Sequence, residues 1–404
     1  MATMTAKTQQ YIDQDKRYGA QNYGPLPVVL ERGEGVFVWD VEGKRYFDML
    51  SAYSAVNQGH NHPKIIAAAK AQMDRLCLTS RAFYNDKMGA LLEKLAGITG
   101  MEKILLMNSG AEAVETAIKA MRRWGYEVKG IPEGKAEIIV CAENFHGRTS
   151  TIVSFSTDPD SYAGYGPKMP GFKVIPYDDP AALEKAITTS TCGFLVEPVQ
   201  GEAGVKVPSE GFLKAARELC TKHNVLLAVD EIQTGLGRTG KMFCFEHSGI
   251  RPDIIVMGKA LSGGVYPISA IAADDAVMKV FKPGTHGSTY GGNSLASAIG
   301  VAALDVLVGE KLPEKAQKMG EYFRAKLDAI KHPLLKERRG KGLLLALEFT
   351  KPIAKDFCKK MMARGLLAKD THAVTVRFAP PLIITKAQID EAVAIIEAAL
   401  QDLD

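Results

Sequence analysis

Residues 254–264 read IIVMGKALSGG. The run Ile254, Ile255, Val256 and Met257 shows no polar alternation, and Gly258 and Lys259 follow it at once. An apolar run this short and rich in β-branched residues reads as a strand covered on both faces. Lys259 then sits where a core strand empties into a loop. With Lys and Arg together at 50 of 404 residues, the default reading of one lysine is a stem that covers apolar surface while its ammonium reaches water. Only its neighbours in the sequence can give it another role.

Working outward, runs of the same kind recur at KILLM (103–107), EIIV (137–140), FKVI (172–175), GFLV (193–196), VLLAV (225–229) and ISAIA (268–272). Helical stretches separate several of them, such as 111–124 and 210–223. In the first, Val114, Ala117, Ile118, Met121 and Trp124 recur at helical spacing. Apolar strands alternating with amphipathic helices predict an α/β fold, with a mostly parallel seven-stranded sheet flanked by helices.

The ends of the chain read differently. GPLPVVL precedes a hairpin pattern, VFVWD and RYFDM across VEGK. The last hundred residues pair a long helix (312–330) with strands such as GLLLALEF (342–349), and finish in a helix from Lys386. The expected division is an N-terminal segment (1–51) packing with the small domain, a large domain (52–296) and a small α+β domain (297–404).

Composition narrows the class of function. Hydrophobic residues make up 46% and charged residues 24%, with a net charge of +4. No basic block points to nucleic acid or an anionic membrane. No apolar run is long enough to span a bilayer, and the N-terminus lacks the apolar core of a signal peptide. The six cysteines are scattered with no C-x-x-C, which points to reduced thiols in the cytoplasm. His60 and His62 have no further ligands in pattern, so no metal site is expected.

Three stretches at strand ends could carry chemistry. MNSGAEAVE (107–115) opens a helix: Ser109 suits the cap, and Gly110 allows close backbone approach. Free N–H groups at such a start bind anions, although the same residues also read as a simple capped helix. AVDEIQTGLGRTG (228–240) places Asp230 at the end of a strand, where α/β folds bind ligands, or where it caps a helix. GLGRTG is no dinucleotide fingerprint, because its glycines do not follow a strand and open a helix. Lys259, if partly desolvated, has a lowered pKa and can form a Schiff base with a carbonyl. An acid, an anion cradle and such a lysine are the parts that hold pyridoxal 5'-phosphate, the acid pairing with the ring nitrogen.

VDEIQTGLGRTG, PDIIVMGKALSGG and HGSTYGGN together resemble the signature of the class III, fold-type I aminotransferases, and the likeness runs nearly end to end. SAYSAVNQGH, NFHGRT and VEPVQGEAGV resemble those members that move the δ-amine of L-ornithine to 2-oxoglutarate, giving glutamate 5-semialdehyde and L-glutamate. The resemblance implies that Lys259 holds the cofactor and shuttles a proton. Asp230 would pair with the ring nitrogen and Gln233 with the ring hydroxyl. Phe145 and Ile232 would sandwich the ring, and Gly110 and Ala111 would bind the phosphate. Ser288 and Thr289 would reach the phosphate of a neighbouring subunit, so a homodimer with shared active sites is implied. At the substrate end, Arg148, Tyr23 and Tyr53 would hold the α-carboxylate and α-amine. Arg377 would bind the oxo-acid, with Glu202 covering it while ornithine is bound. His146 stands where an aromatic residue is usual, and would tune the substrate pocket. Acetylornithine or 4-aminobutyrate transamination is the alternative within the family. A pyridoxal-phosphate-dependent aminomutase lies further off.

Overall fold

A computed structural model describes residues 5–403. Near the N-terminus lie strands β1 (Leu30–Glu34), β2 (Phe37–Asp40) and β3 (Arg45–Asp48). Seven strands follow: β4 (Lys103–Met107), β5 (Glu137–Cys141), β6 (Phe172–Ile175), β7 (Thr191–Val196), β8 (Leu226–Asp230), β9 (Ile254–Met257) and β10 (Ser269–Ala273). The C-terminal part adds β11 (Leu335–Lys341), β12 (Leu344–Phe349), β13 (Leu366–Leu367), β14 (Lys369–Thr371) and β15 (Thr375–Phe378).

The seven middle strands form one sheet in the order β4-β10-β9-β8-β7-β5-β6. Only β10 runs against its neighbours, pairing antiparallel with both β4 and β9. Every other pair is parallel. Both faces are covered, as the unbroken apolar runs require. Ile138, Val140, Val256 and Ile271 pack on one side with Val114, Ala117, Ile118, Met121 and Trp124 of the helix Gly110–Glu127. Ile139, Phe194, Leu227, Ile255 and Met257 point into the core on the other. Each large side chain so buried stabilises the fold by about 1.5–3 kcal/mol.

Two smaller sheets complete the chain. One has the order β11-β12-β15-β14; the other, β1-β2-β3-β13, joins the N-terminal hairpin to a C-terminal strand through Leu366 opposite Phe47. β11, LKERRGK, is a strand that the sequence reading passes over. It lies at a sheet edge with most of its residues partly or fully exposed, and a charged edge strand carries no apolar signal while it blunts pairing with other chains. His60 and His62 bind different acids, Asp48 at 2.7 Å and Glu310 at 3.2 Å. Among the described residues no helix is long and apolar enough to cross a membrane.

Candidate active site

The sheet topology sends six strand ends to one edge, and five of them lead into the site. β5, β7, β8 and β9 run parallel, and β4 shares their direction because β10 reverses twice between them. Their carboxyl ends lead into Gly110, Phe145, Glu197, Asp230 and Lys259, which line a cavity of about 210 Å³. This is the edge at which α/β sheets bind ligands.

Lys259 follows β9 with φ +47°, a left-handed turn that points its side chain away from the strand line. Its amine is buried and takes part in no hydrogen bond or ion pair among the described residues. Burial lowers its pKa, with the Arg377 charge adding to the effect against the pull of Glu202 and Asp230. A lysine so placed gives up its proton more easily than a free one, which suits a nucleophile.

Ser109 caps the helix at Gly110 in a reciprocal box: its hydroxyl accepts from Glu112 N at 3.2 Å, and Glu112 accepts from Ser109 N at 2.6 Å. The box uses the amide of Glu112 and leaves those of Gly110 and Ala111 on the cavity wall. Asp230 Oδ1 accepts from Ile232 N at 3.0 Å, and Oδ2 accepts from His146 Nδ1 at 2.7 Å. Each oxygen keeps a lone pair for a further donor. A partnerless buried amine, two free helix-start amides, a fixed carboxylate and the walls Phe145 and Ile232 match an aldehyde, a phosphate, a basic ring nitrogen and a flat ring. The residues present thus fit pyridoxal phosphate.

Phe145, Glu202 and Lys259 also line a second, wider cavity of about 1180 Å³, so the two spaces join at these residues. Tyr23, Tyr53 and Arg148 line the wide part. Arg148 sits 5.6 Å from the Phe145 ring centroid with no acid paired to it among the described residues. Arg377 is 1% exposed and donates to Glu202 Oε1 at 2.8 Å. Burial opposes ionisation of Glu202, but the Arg377 and Lys259 charges outweigh it and hold its pKa near about 2.

The structure adds partners that the sequence reading does not contain. His146 is buried beneath Asp230 and holds that acid in place, where the sequence reading set it to tune the substrate pocket. Burial pushes its pKa down, and Asp230 more than reverses this, so the net shift is upward. Glu197 accepts from Phe145 N at 3.0 Å, and burial raises its carboxyl to about 8. It follows an all-apolar strand as Asp230 does, a pattern that could have marked it. The amide of Gln233 lies against Glu202 and Arg377. Ser288 and Thr289 line neither cavity; Ser288 Oγ is held by Asn108 at 2.8 Å.

Comparison with known proteins gives a consistent picture. A family model described as aminotransferase class-III matches residues 18–400. An ornithine aminotransferase of Brevibacillus brevis is 56% identical over 395 residues, 98% of this chain and 99% of its own. The crystal structure of the ornithine aminotransferase from Toxoplasma gondii superposes with a TM-score of 0.97 at 46% identity, covering 100% of this chain and 96% of that one. An acetylornithine aminotransferase structure from Elizabethkingia anophelis gives 0.90 at 51% identity, over 98% of this chain and 99% of its own.

Proposed function

The chain belongs to the class-III aminotransferases and works with pyridoxal 5'-phosphate, and from that premise we propose that it moves the δ-amine of L-ornithine to 2-oxoglutarate. The products are glutamate 5-semialdehyde and L-glutamate. The observation that carries this reading is the opposed placement of two arginines. Arg148 has no acid paired to it among the described residues and lies on the wide cavity, while Arg377 is covered by Glu202.

An ornithine molecule brings one carboxylate and two amines. Arg148 offers a fork for the carboxylate, and the hydroxyls of Tyr23 and Tyr53 complete that end. The δ-amine then extends toward Lys259. With Glu202 on Arg377, no free cation invites the α-carboxylate to that inner end. 2-Oxoglutarate reacts at its α-carbon, so its α-carboxylate needs Arg377, and Glu202 must move aside. The cofactor, when bound, supplies the electron sink that lets a proton leave the substrate carbon. Asp230, fixed by His146, would keep the ring nitrogen protonated. Phe145 and Ile232 would hold the ring, Gly110 and Ala111 would hold the phosphate, and Gln233 would reach the ring hydroxyl. Lys259 Nζ would take the proton from the substrate carbon and carry it to the cofactor.

Ser288 and Thr289 serve the phosphate of a second copy in a homodimer. Supporting this, Phe83 and Tyr84 are 71% and 97% exposed beside that turn. Their loop is tied to it by Asn85 Nδ2 donating to Gly292 O at 3.1 Å. The pairing of β3 with β13 supports grouping residues 1–51 with a small unit, 297–404, around a cofactor-binding unit, 52–296. Scattered, unpaired cysteines fit the cytoplasm.

The deciding experiment supplies ornithine labelled with ¹⁵N at the δ-position and follows label into glutamate. Label retained in the oxo-acid product means α-transamination and refutes the reading. The likeness to an acetylornithine aminotransferase makes the acylated donor the substrate to compare. If Tyr23→Ala leaves ornithine turnover intact and acetylornithine is preferred, the specificity is for the acylated amine.

A further inference from the structure

The Glu202–Arg377 pair has a third member. Gln233 Nε2 donates to Glu202 Oε1 at 3.0 Å, and Gln233 Oε1 accepts from Arg377 Nη1 at 3.2 Å. With the direct Arg377 to Glu202 bond at 2.8 Å, the three groups close a ring of hydrogen bonds. Gln233 is buried and packed so closely that a Cβ on Gly201 would stand 1.4 Å from its Oε1. The amide is therefore held in its pose by the backbone beside it. Arg377 Nε meanwhile is buried without an acceptor. Even in the covered state the guanidinium keeps a donor unspent, ready for the second oxygen of an incoming carboxylate.

We propose that Gln233 is a specificity-determining latch, holding Glu202 over Arg377 while an amine donor is bound and giving way when an oxo-acid carboxylate takes the arginine. The latch rests on the δ-transaminase reading for its purpose. The amide suits the task chemically. It satisfies an acid with its N–H and a guanidinium with its oxygen at once, which a carboxylate cannot do. Its second N–H is left over for the ring hydroxyl of the cofactor, so the residue that senses the gate also touches the reacting group. When Glu202 departs, Gln233 loses an acceptor while Arg377 gains a carboxylate. The exchange has small net cost and the gate is poised between its two states.

The test uses the holoenzyme and glutarate, a dicarboxylate that cannot react, as a probe of Arg377. Gln233→Met keeps the volume and removes the hydrogen bonds. Gly201→Ala keeps the amide and displaces it. In both, calorimetry should show glutarate binding about tenfold tighter, the scale of one hydrogen bond to a charged group. The share of δ-¹⁵N from ornithine that reaches glutamate should fall in both. General damage to the site would weaken glutarate binding, so the sign separates a latch from a structural prop. Unchanged or weaker glutarate binding in both variants overturns the proposal. Failure of the wild-type enzyme to move the δ-nitrogen overturns the substrate reading instead, and the glutarate result still decides whether Gln233 holds Arg377 covered.

Discussion

Arg377 donates to Glu202 Oε1 across 2.8 Å, while the Nε of the same guanidinium is buried without an acceptor. The pair neutralises a charge without exhausting it. Removing the acid should therefore expose a strong carboxylate site. In Glu202→Ala we expect glutarate to bind at least about tenfold tighter and ornithine to enter with its α-carboxylate inward. Label from δ-¹⁵N-ornithine should then remain in the oxo-acid product. The pair should also resist acid. Glu202 falls from 4.5 to about 2 on folding, so its contribution is complete above pH 4.5 and is lost only as pH falls through the lower value. Wild-type glutarate affinity measured from about pH 6 to pH 8 should show no step from this acid.

Lys259 is partly buried, and its amine has no hydrogen-bond or ion-pair partner among the described residues. Its pKa falls from 10.5 on folding because burial disfavours the charged form. The unfolded chain thus binds more protons, and the folded state bears a cost that shrinks only as pH rises toward the unfolded value. Lys259→Met should raise the melting temperature of the cofactor-free protein by about 2–4 °C near neutral pH, and by less near pH 10. The same variant should lose the visible absorbance of the bound cofactor. Turnover should fall at least about 10³-fold, as expected when the group that moves the proton is gone.

The sheet and the edge that carries the cavity were legible because they rest on local patterns. Unbroken apolar runs require cover on both faces, and Asp230 and Lys259 stand directly at their ends. Gly110 was legible through its cap, since Ser109 and Glu112 satisfy each other within three residues. The Glu202–Arg377 contact, across 175 positions, was reached only through the family resemblance, and other contacts between residues far apart in the chain escaped. His146 meets Asp230 across 84 positions, and Gln233 meets Arg377 across 144. No periodicity encodes such pairs. Arg238 escaped for the same reason. The GLGRTG stretch carries an arginine that is fully buried and ties three segments together.

That arginine yields a stability prediction. Arg238 donates to Leu343 O at 3.0 Å and Pro380 O at 2.6 Å, and also to Asn57 Oδ1. Arg238→Met leaves three buried acceptors short of a donor. Each such loss costs about 1–3 kcal/mol, partly offset because a desolvated cation is removed as well. A net destabilisation of about 3 kcal/mol is expected in urea unfolding. Lysine should not rescue it, because one ammonium cannot reproduce the planar fork.

His146 should make stability depend on pH with a definite sign. Its pKa is raised on folding: burial lowers it, and the bond and charge of Asp230 outweigh burial. The folded state therefore binds the extra proton, and the stabilisation is complete below the unfolded value of 6.5 and lost as pH rises through the folded one. His146→Gln should cost more stability near pH 6 than near pH 9, read from thermal melts at both. A loss that is equal at the two pH values would mean that His146 acts through packing alone. In His146→Leu, cofactor affinity should also fall by about tenfold, since Asp230 Oδ2 then loses its donor.

The last prediction concerns strain beside the gate. Ser51, Ala52, Tyr53 and Ser54 all have positive φ, from 46° to 72°, a left-handed turn built without glycine. Left-handed backbone costs about 1–2 kcal/mol per residue with a Cβ. The turn sets the Tyr53 ring 5.3 Å from the Arg377 guanidinium, and burial together with the Glu202 charge raises the phenol's pKa. Ala52 is exposed, with φ 46° and ψ 51°, so its methyl adds strain and little packing. Ala52→Gly should stabilise the fold by about 1 kcal/mol after the added entropy of the unfolded chain. A control lies three residues on. Ala55 has φ −86° and ψ −22°, ordinary right-handed backbone, so Ala55→Gly should destabilise by about 0.5–1 kcal/mol. Opposite signs in paired thermal melts identify backbone strain as the cause. If strain also positions the ring, Ala52→Gly should raise the KM for ornithine while leaving kcat close to wild type, because a looser turn lets Tyr53 leave the carboxylate end without touching Lys259.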